Sequence, residues 1–196
     1  MIKPFSQACE NNKGPILEVL KAVFKNTQSV LEVGSGTGQH SVFFAKKLPH
    51  LQWYTSDRAI NHEGISLWHN EANLSNLHAP LELDLNYTWP INKVDAIFTA
   101  NTFHIVSWEL VEAFFKGVAT HLESQGVVCI YGPFKYQGQF TSASNNEFNQ
   151  FLTERDPHSG IRDFEAVELL AKQAGLVLIS DTAMPANNQL LVFKRQ

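Results

Sequence analysis

Apolar positions recur along this chain in two rhythms, and the switches between them mark out its elements. Behind a polar lead-in over residues 1–14, Pro15 stands where a first helical turn tolerates proline. Ile16, Leu17, Val19, Leu20, Val23 and Phe24 then repeat at helical spacing, so the pattern predicts a helix over 16–24. A short apolar run at 30–33 reads as a strand. The helical rhythm resumes at about Gln39, carries Val42, Phe43, Phe44 and Ala45 to Leu48, and stops at Pro49. Residues 51–55 read as a second strand. A polar helix is expected over 60–77, starting near His62, and a weakly alternating third strand over 81–85.

The second half continues in the same way. Val-Asp-Ala-Ile-Phe-Thr-Ala at 94–100 is a fourth strand, and Ser107 caps a helix whose core positions include Leu110, Val111, Phe114, Phe115, Val118 and Leu122. Gly126 opens a fifth strand at 127–131, which Gly132-Pro133 ends. Residues 136–160 are rich in Gln, Ser, Asn, Gly and Thr around one short helical pattern at 146–152. A connection of that length reads as a lid or substrate-binding insertion. Asp163 caps a helix to Ala174, and Gly175 stops it. Two last strands, 176–180 and 189–194, are separated by Pro185-Ala186-Asn187-Asn188, short enough for a hairpin. Seven strands, the first five linked by helices, give an α/β fold with a mostly parallel sheet.

A chain of 196 residues with no repeat fits one domain, 1–196, large enough for a substantial core. The formal charge is −4 with no run of basic residues, which disfavours a nucleic-acid partner. Cys9 and Cys129 make no disulfide framework, no apolar run approaches a membrane span, and residues 1–10 lack the features of a secretory signal. These features point to a soluble, cytoplasmic protein. His62 and His69 lack metal-ligand spacing and no His-Cys cluster exists, so no metal site is expected.

Candidate chemistry centres on Glu32-Val33-Gly34-Ser35-Gly36-Thr37-Gly38, where an apolar strand ends in an acid and three alternating glycines. Glycine is required where main chain takes positive φ or touches a ligand, so Gly34, Gly36 and Gly38, with Ser35 between them, suggest a ligand lying on bare backbone. A glycine turn between strand and helix also exists without any ligand. The dinucleotide fingerprint needs Gly or Ala where Gln39 stands, which weakens a nicotinamide oxidoreductase. Asp57, nineteen residues beyond Gly38, occupies the place where a parallel α/β fold sets an acid on ribose hydroxyls, or it is simply a helix cap. Asp84 and Leu85 are set to hold an adenine, the acid on its amino group and the leucine on its ring, or Asp84 merely opens a loop. Asn101 and His104 fall beyond the carboxyl end of the fourth strand, beside the first, and Tyr131 and Phe134 reach the same rim. His104 is the candidate general base, and Tyr131 with Phe134 a candidate aromatic wall; each is equally readable as core.

The glycine loop resembles the S-adenosylmethionine (SAM) loop of class I methyltransferases, in which Glu32 would face the ammonium group. The likeness extends further. Residues 6–13 with Pro15-Ile16-Leu17, the loop to His40, Ser56-Asp57, Trp89-Pro90, residues 95–104, Tyr131-Gly132-Pro133-Phe134-Lys135, Ser144-Asn145, Arg155-Asp156-Pro157, Gly160-Ile161-Arg162-Asp163 and 184–188 resemble an uncharacterised methyltransferase-like family. It is the family that includes methyltransferase-like protein twenty-six. The resemblance implies a Rossmann-like sheet of order 3-2-1-4-5-7-6 with the last strand antiparallel, and SAM as cofactor.

It implies no substrate. Within the matched phrases Asn12, Lys13, Phe134, Arg155 and Asn188 are candidates for holding the acceptor, and Lys13, Arg155 and Arg162 would suit an acidic small molecule or are each half of a surface ion pair. Asn11 stands where the family pattern has arginine; if that arginine binds an anionic substrate group, the neutral amide loses the charge-assisted bond. The expectation is methyl transfer to a small molecule. The alternative is a non-catalytic SAM-binding or partner-binding protein that keeps the fold.

Overall fold

A computed structural model describes residues 3–196. Helix α1 (Gln7–Val23) leads into strand β1 (Ser29–Val33), α2 (Gln39–Lys47), β2 (Gln52–Asp57), α3 (Ala59–Ala72) and β3 (Leu77–Glu82). Strand β4 (Val94–Ala100), α4 (Trp108–His121) and β5 (Leu122–Gly132) follow. Three short strands, β6 (Phe134–Tyr136), β7 (Gln139–Phe140) and β8 (Arg162–Asp163), flank α5 (Ala143–Arg155). The chain closes with α6 (Phe164–Gln173), β9 (Leu176–Met184), a 3-10 turn (Pro185–Asn187) and β10 (Asn188–Arg195).

Seven strands form one sheet in the order β3-β2-β1-β4-β5-β10-β9. Strands β1 to β5 pair in parallel, and β10 runs antiparallel to both its neighbours. This is the expected order 3-2-1-4-5-7-6, with β9 and β10 as the sixth and seventh strands. Side chains alternate across the sheet as the pleat demands. Leu31, Ile97, Val128 and Phe193 pack with Val111, Phe114 and Val167 from α4 and α6 on one face. Val30, Phe98, Cys129 and Val192 pack with Leu17, Leu20, Phe44 and Ala45 from α1 and α2 on the other. Both faces are covered, which is why these strands read as nearly continuous apolar runs.

Three expectations need correction. The first helix starts at Gln7, so Pro15 lies inside it. The Ser6 hydroxyl caps the helix by accepting the Cys9 N–H, and Gln39 clamps its first turn. The Gln39 amide oxygen accepts the Ser6 N–H, and its nitrogen donates to Ser6 O and to Glu10 Oε1. These bonds hold helical residues that proline alone would have left outside. The third strand lies earlier than 81–85, because α3 ends where Asn73 takes a left-handed conformation at φ 46° and caps it. Pro80 is tolerated within β3 because that strand is an edge of the sheet. The segment 136–160 is also more ordered than a polar connection. Its helix spans Ala143–Arg155 rather than 146–152, and β6, β7 and β8 form a second, three-stranded sheet.

Candidate functional site

At the carboxyl ends of β1, β4 and β5 the sheet opens onto a cavity of about 590 Å³, a volume ordinary for a small-molecule site. Its floor is main chain. Gly34, Gly36 and Gly38 have φ of 76°, 57° and 85°. A Cβ on Gly34 would lie 2.8 Å from Thr102 Oγ1, and one on Gly38 would lie 3.1 Å from the Ile65 Cα, whereas one on Gly36 would meet nothing within 4 Å. Gly34 and Gly38 are therefore glycine for close packing, and Gly36 leaves room over the cavity floor. The N–H groups of Gly34 and Ser35 both donate to Ser56 O at 3.0 Å. Gly36 N–H donates to Asp57 Oδ2 at 2.8 Å.

Asp57 thus shapes the loop from below. Its other oxygen accepts the Arg58 N–H at 2.8 Å and the Asn61 side chain at 2.7 Å. Three of a carboxylate's roughly four acceptor sites are used, which leaves one for a hydroxyl. Glu32 lies behind the first glycine, 2 % exposed, with Oε2 accepting the Trp53 indole N–H at 2.9 Å. Burial pushes its pKa up to about 8 against the lowering pull of the Trp53 and Ser35 bonds, and the nearby Asp57 charge raises it further. At neutral pH this acid is mostly uncharged. A cation placed nearby would draw its proton off, so the residues fit a ligand bearing an ammonium group.

Asn101 and His104 both line the cavity, carried there by the end of β4. Asn101 sits at φ 56°, a conformation asparagine tolerates, with its N–H on Tyr131 O at 2.9 Å. His104 is 5 % exposed, and its ring meets Phe148 edge-on at 5.4 Å. Burial, then the charges of Arg162 and Arg155, push its pKa down to about 4, so the ring is neutral at physiological pH.

Tyr131 and Phe134 are buried, at 3 % and 1 % exposure, in the two core clusters and do not line the cavity. Burial raises the Tyr131 pKa, and hydrogen bonds from Asn12 and Asn188 partly offset it. Asn12 is buried in turn, with Oδ1 2.6 Å from His40 Nε2. The His40–Asn12 bond ties α2 to α1 behind the cavity, and His40 and Asn188 both line it. The acceptor-site candidates divide accordingly. Asn188 reaches the cavity and Asn12 stands behind it. Lys13 pairs with Glu10 and lies over the Phe43 ring, and Arg155 is exposed on the last turn of α5.

Asp84 and Leu85 also lie outside the cavity. Asp84 Oδ1 accepts from the Asn86 N–H and side chain at 2.9 and 3.0 Å, the turn-opening arrangement. Arg162 serves structure, donating to the carbonyls of Phe103, Val106 and His158. Asn11 is exposed and bonded to Gln7. The residue that departs from the family pattern is outside the cavity.

Sequence reasoning missed Cys9, His40, Asn145 and Phe148, all of which line the cavity. His40 directly follows the glycine loop, and its place at the start of a helix was a usable signal. Ser144-Asn145 stands among the phrases of the resemblance without a role, and nothing local marks Phe148. They arrive because α5 docks onto the turn before β10, where Asn145 Nδ2 donates to Asn187 O at 3.0 Å and Asn187 Nδ2 to Ser144 Oγ at 3.1 Å. No group of three or more His, Cys, Asp or Glu side chains placed to hold a metal occurs among the described residues, and none of their helices is long and apolar enough to cross a membrane.

Residues 3–195 match the family described as "Protein of unknown function (DUF938)". Solved structures share the fold at low identity. An O-methyltransferase family protein from Burkholderia thailandensis has TM-score 0.82 and 15% identity over 94% of this chain and 56% of its own. The SAM-dependent methyltransferase SibL, in its apo form, has TM-score 0.81 and 21% identity over 96% and 55%. An O-methyltransferase family 2 protein from Planctomyces limnophilus, solved with apigenin, has TM-score 0.83 and 15% identity over 96% and 58%. The chain spans a little over half the length of each.

Proposed function

The chain belongs to the DUF938 family, and from that premise and the open glycine cradle we propose that it is a cytoplasmic SAM-dependent methyltransferase acting on a small molecule. The observation that carries the reading is Gly36, whose missing side chain leaves space above a loop of left-handed glycines at the edge of the cavity. Neighbours of the same fold, among them an O-methyltransferase family protein and the SAM-dependent methyltransferase SibL, support it. So does the run of matched phrases shared with the family of methyltransferase-like protein twenty-six.

Bound SAM would supply an electrophilic methyl carbon on a sulfonium. The chain's own residues then have three tasks. The main chain at 34–37 and Glu32 behind it bind and orient the amino-acid end, with Asp57 offering its last acceptor site to a ribose hydroxyl. Asn101 and Asn188 flank the cavity, and His104 can accept a proton at a ring nitrogen. The segment 136–162 borders the far side through Ser144, Asn145 and Phe148. It is fastened there by Gly160 N–H on His104 O at 2.9 Å and the Ser159 hydroxyl on Ile105 O at 2.6 Å. Orientation of this kind is worth on the order of 7–11 kcal/mol of barrier, so a weak base suffices.

Titration calorimetry with SAM and with NAD tests the reading. SAM is expected to bind with a dissociation constant on the order of micromolar and NAD not at all. Binding of NAD alone would reverse the assignment.

A further inference from the structure

No Asp, Glu, Lys or Arg side chain lines the cavity among the described residues. The cationic groups expected at an acidic substrate are committed elsewhere. Lys13 is paired with Glu10, Arg162 is bound to three carbonyls, and Arg155 is exposed beyond the lining. An ammonium or carboxylate on the acceptor would lose its hydration here and find no partner, which strongly disfavours either. The charged end of a cofactor does not meet this objection, because the cradle supplies main-chain groups and Glu32 behind them.

The far end of the cavity is amphiphilic. His104, neutral, keeps one N–H and one lone pair, and neither ring nitrogen has a hydrogen-bond partner among the described residues. A hydroxyl is both donor and acceptor and answers both. Above it stand apolar groups left partly in water: Phe148 at 36 % exposure, Ile105 at 38 %, and Phe151 at 56 %, which stacks on Phe148 at 6.5 Å with an interplanar angle of 17°. Flat rings against polar depths suit an aromatic ligand with its polar atom inward.

We propose that the acceptor is an uncharged hydroxylated aromatic molecule, its ring packed on Phe148 and its hydroxyl directed to His104. This rests on the methyltransferase reading for its consequence, though the site itself is read from the cavity. It replaces the acidic acceptor that the lysine and arginines suggested.

Binding of 2-naphthol, 2-naphthoate and 2-naphthylmethylamine to the full chain, with and without saturating S-adenosylhomocysteine, tests this by calorimetry. Resolution by NMR of the His104 ring signals gives a second readout. 2-Naphthol is expected to bind at least about tenfold tighter than either charged probe and to shift the His104 signals. Phe148→Ala is expected to weaken it about five- to tenfold, with Phe148→Leu in between and SAM affinity unchanged. A charged probe binding as tightly as naphthol, or naphthol indifferent to Phe148→Ala, overturns the proposal. SAM titrated into the same samples keeps the two ideas apart. SAM binding without a naphthol preference sinks only the acceptor class, and a naphthol preference without SAM binding sinks only the methyltransferase reading.

Discussion

The two ends of the cavity are made of different material. The cradle end is four consecutive residues, 34–37, whose shape is set by backbone bonds to Ser56 O and by the Asp57 carboxylate. The far end is side chains, His104, Asn145, Phe148 and Asn188, brought from the end of β4, from α5 and from the start of β10. One is local and fixed by φ angles; the other exists only once the chain has packed. A ligand group common to many proteins can be held by main chain, whereas a particular acceptor must be read by side chains.

Substituting the cradle should give the largest effect, and should separate its two kinds of glycine. Gly36→Ala meets nothing in the free protein, so it is expected to cost only the left-handed backbone penalty of about 1–2 kcal/mol in stability. Its methyl, however, occupies ligand space, and SAM affinity should fall about 100-fold, roughly 2.7 kcal/mol. Gly34→Ala places its methyl 2.8 Å from Thr102 Oγ1 at φ 76°, and is expected to lose stability as well as affinity. Thermal unfolding and calorimetry on both variants decide the matter. A Gly36→Ala protein that binds SAM as well as the wild type would show that the ligand does not lie on this loop.

The same division explains what the amino-acid sequence disclosed. The α/β alternation, the glycine loop and the positions of Asn101 and His104 are legible because they follow from hydrophobic period and from the ends of strands, whereas the strand order comes from the family resemblance. Pro15 misled because tertiary bonds from Gln39 outweigh a local helix signal. Asn73 misled in the opposite sense, being a helix stop written in a residue less distinctive than glycine. Phe134 and Tyr131 sit at the rim in sequence yet face the core, a difference of side-chain direction that spacing alone does not carry where both sheet faces are buried. The place of Asn145 and Phe148 in the cavity depends on how α5 docks, so the Ser144-Asn145 phrase carries no role by itself.

Glu32 allows a sharper comparison, because it is the cradle's one buried acid. Its pKa rises from about 4.3 in an unfolded chain to about 8 in the folded protein. The native state therefore holds this proton more tightly, and the stability it contributes is complete below about pH 4.3 and lost as pH rises through 8. His40 and His104 run the other way. Lowered to about 4, they contribute stability that is complete above about pH 6.5 and is lost as pH falls through 4.

Unfolding measured across pH should show greatest stability near pH 6.5, with Glu32→Gln flattening the alkaline descent. A bound ammonium would favour the ionised acid, so SAM affinity should rise roughly tenfold or more from pH 6.5 to 8.5. About one proton should be released on binding at pH 7, measured by calorimetry in buffers of different ionisation enthalpy. No release would mean that the cradle meets the ligand without this carboxyl group.

The smallest effect is expected at the opposite end, from Arg155→Ala. This side chain is exposed on the last turn of α5, yet its charge is one of two that disfavour the imidazolium of His104, behind burial and Arg162. Its removal should raise the His104 pKa only slightly, since an exposed charge is well screened. Stability should change by less than about 0.5 kcal/mol, and SAM affinity should not change. Arg162 is no substitute for this test, because its loss would also free the carbonyls of Phe103, Val106 and His158 that anchor the covering segment. An NMR titration of His104 gives the answer. An upward shift shows that a charge outside the lining tunes the acceptor end, whereas an unmoved pKa would leave burial and Arg162 to hold the ring neutral. In that case the far end, like the cradle, would be set from within.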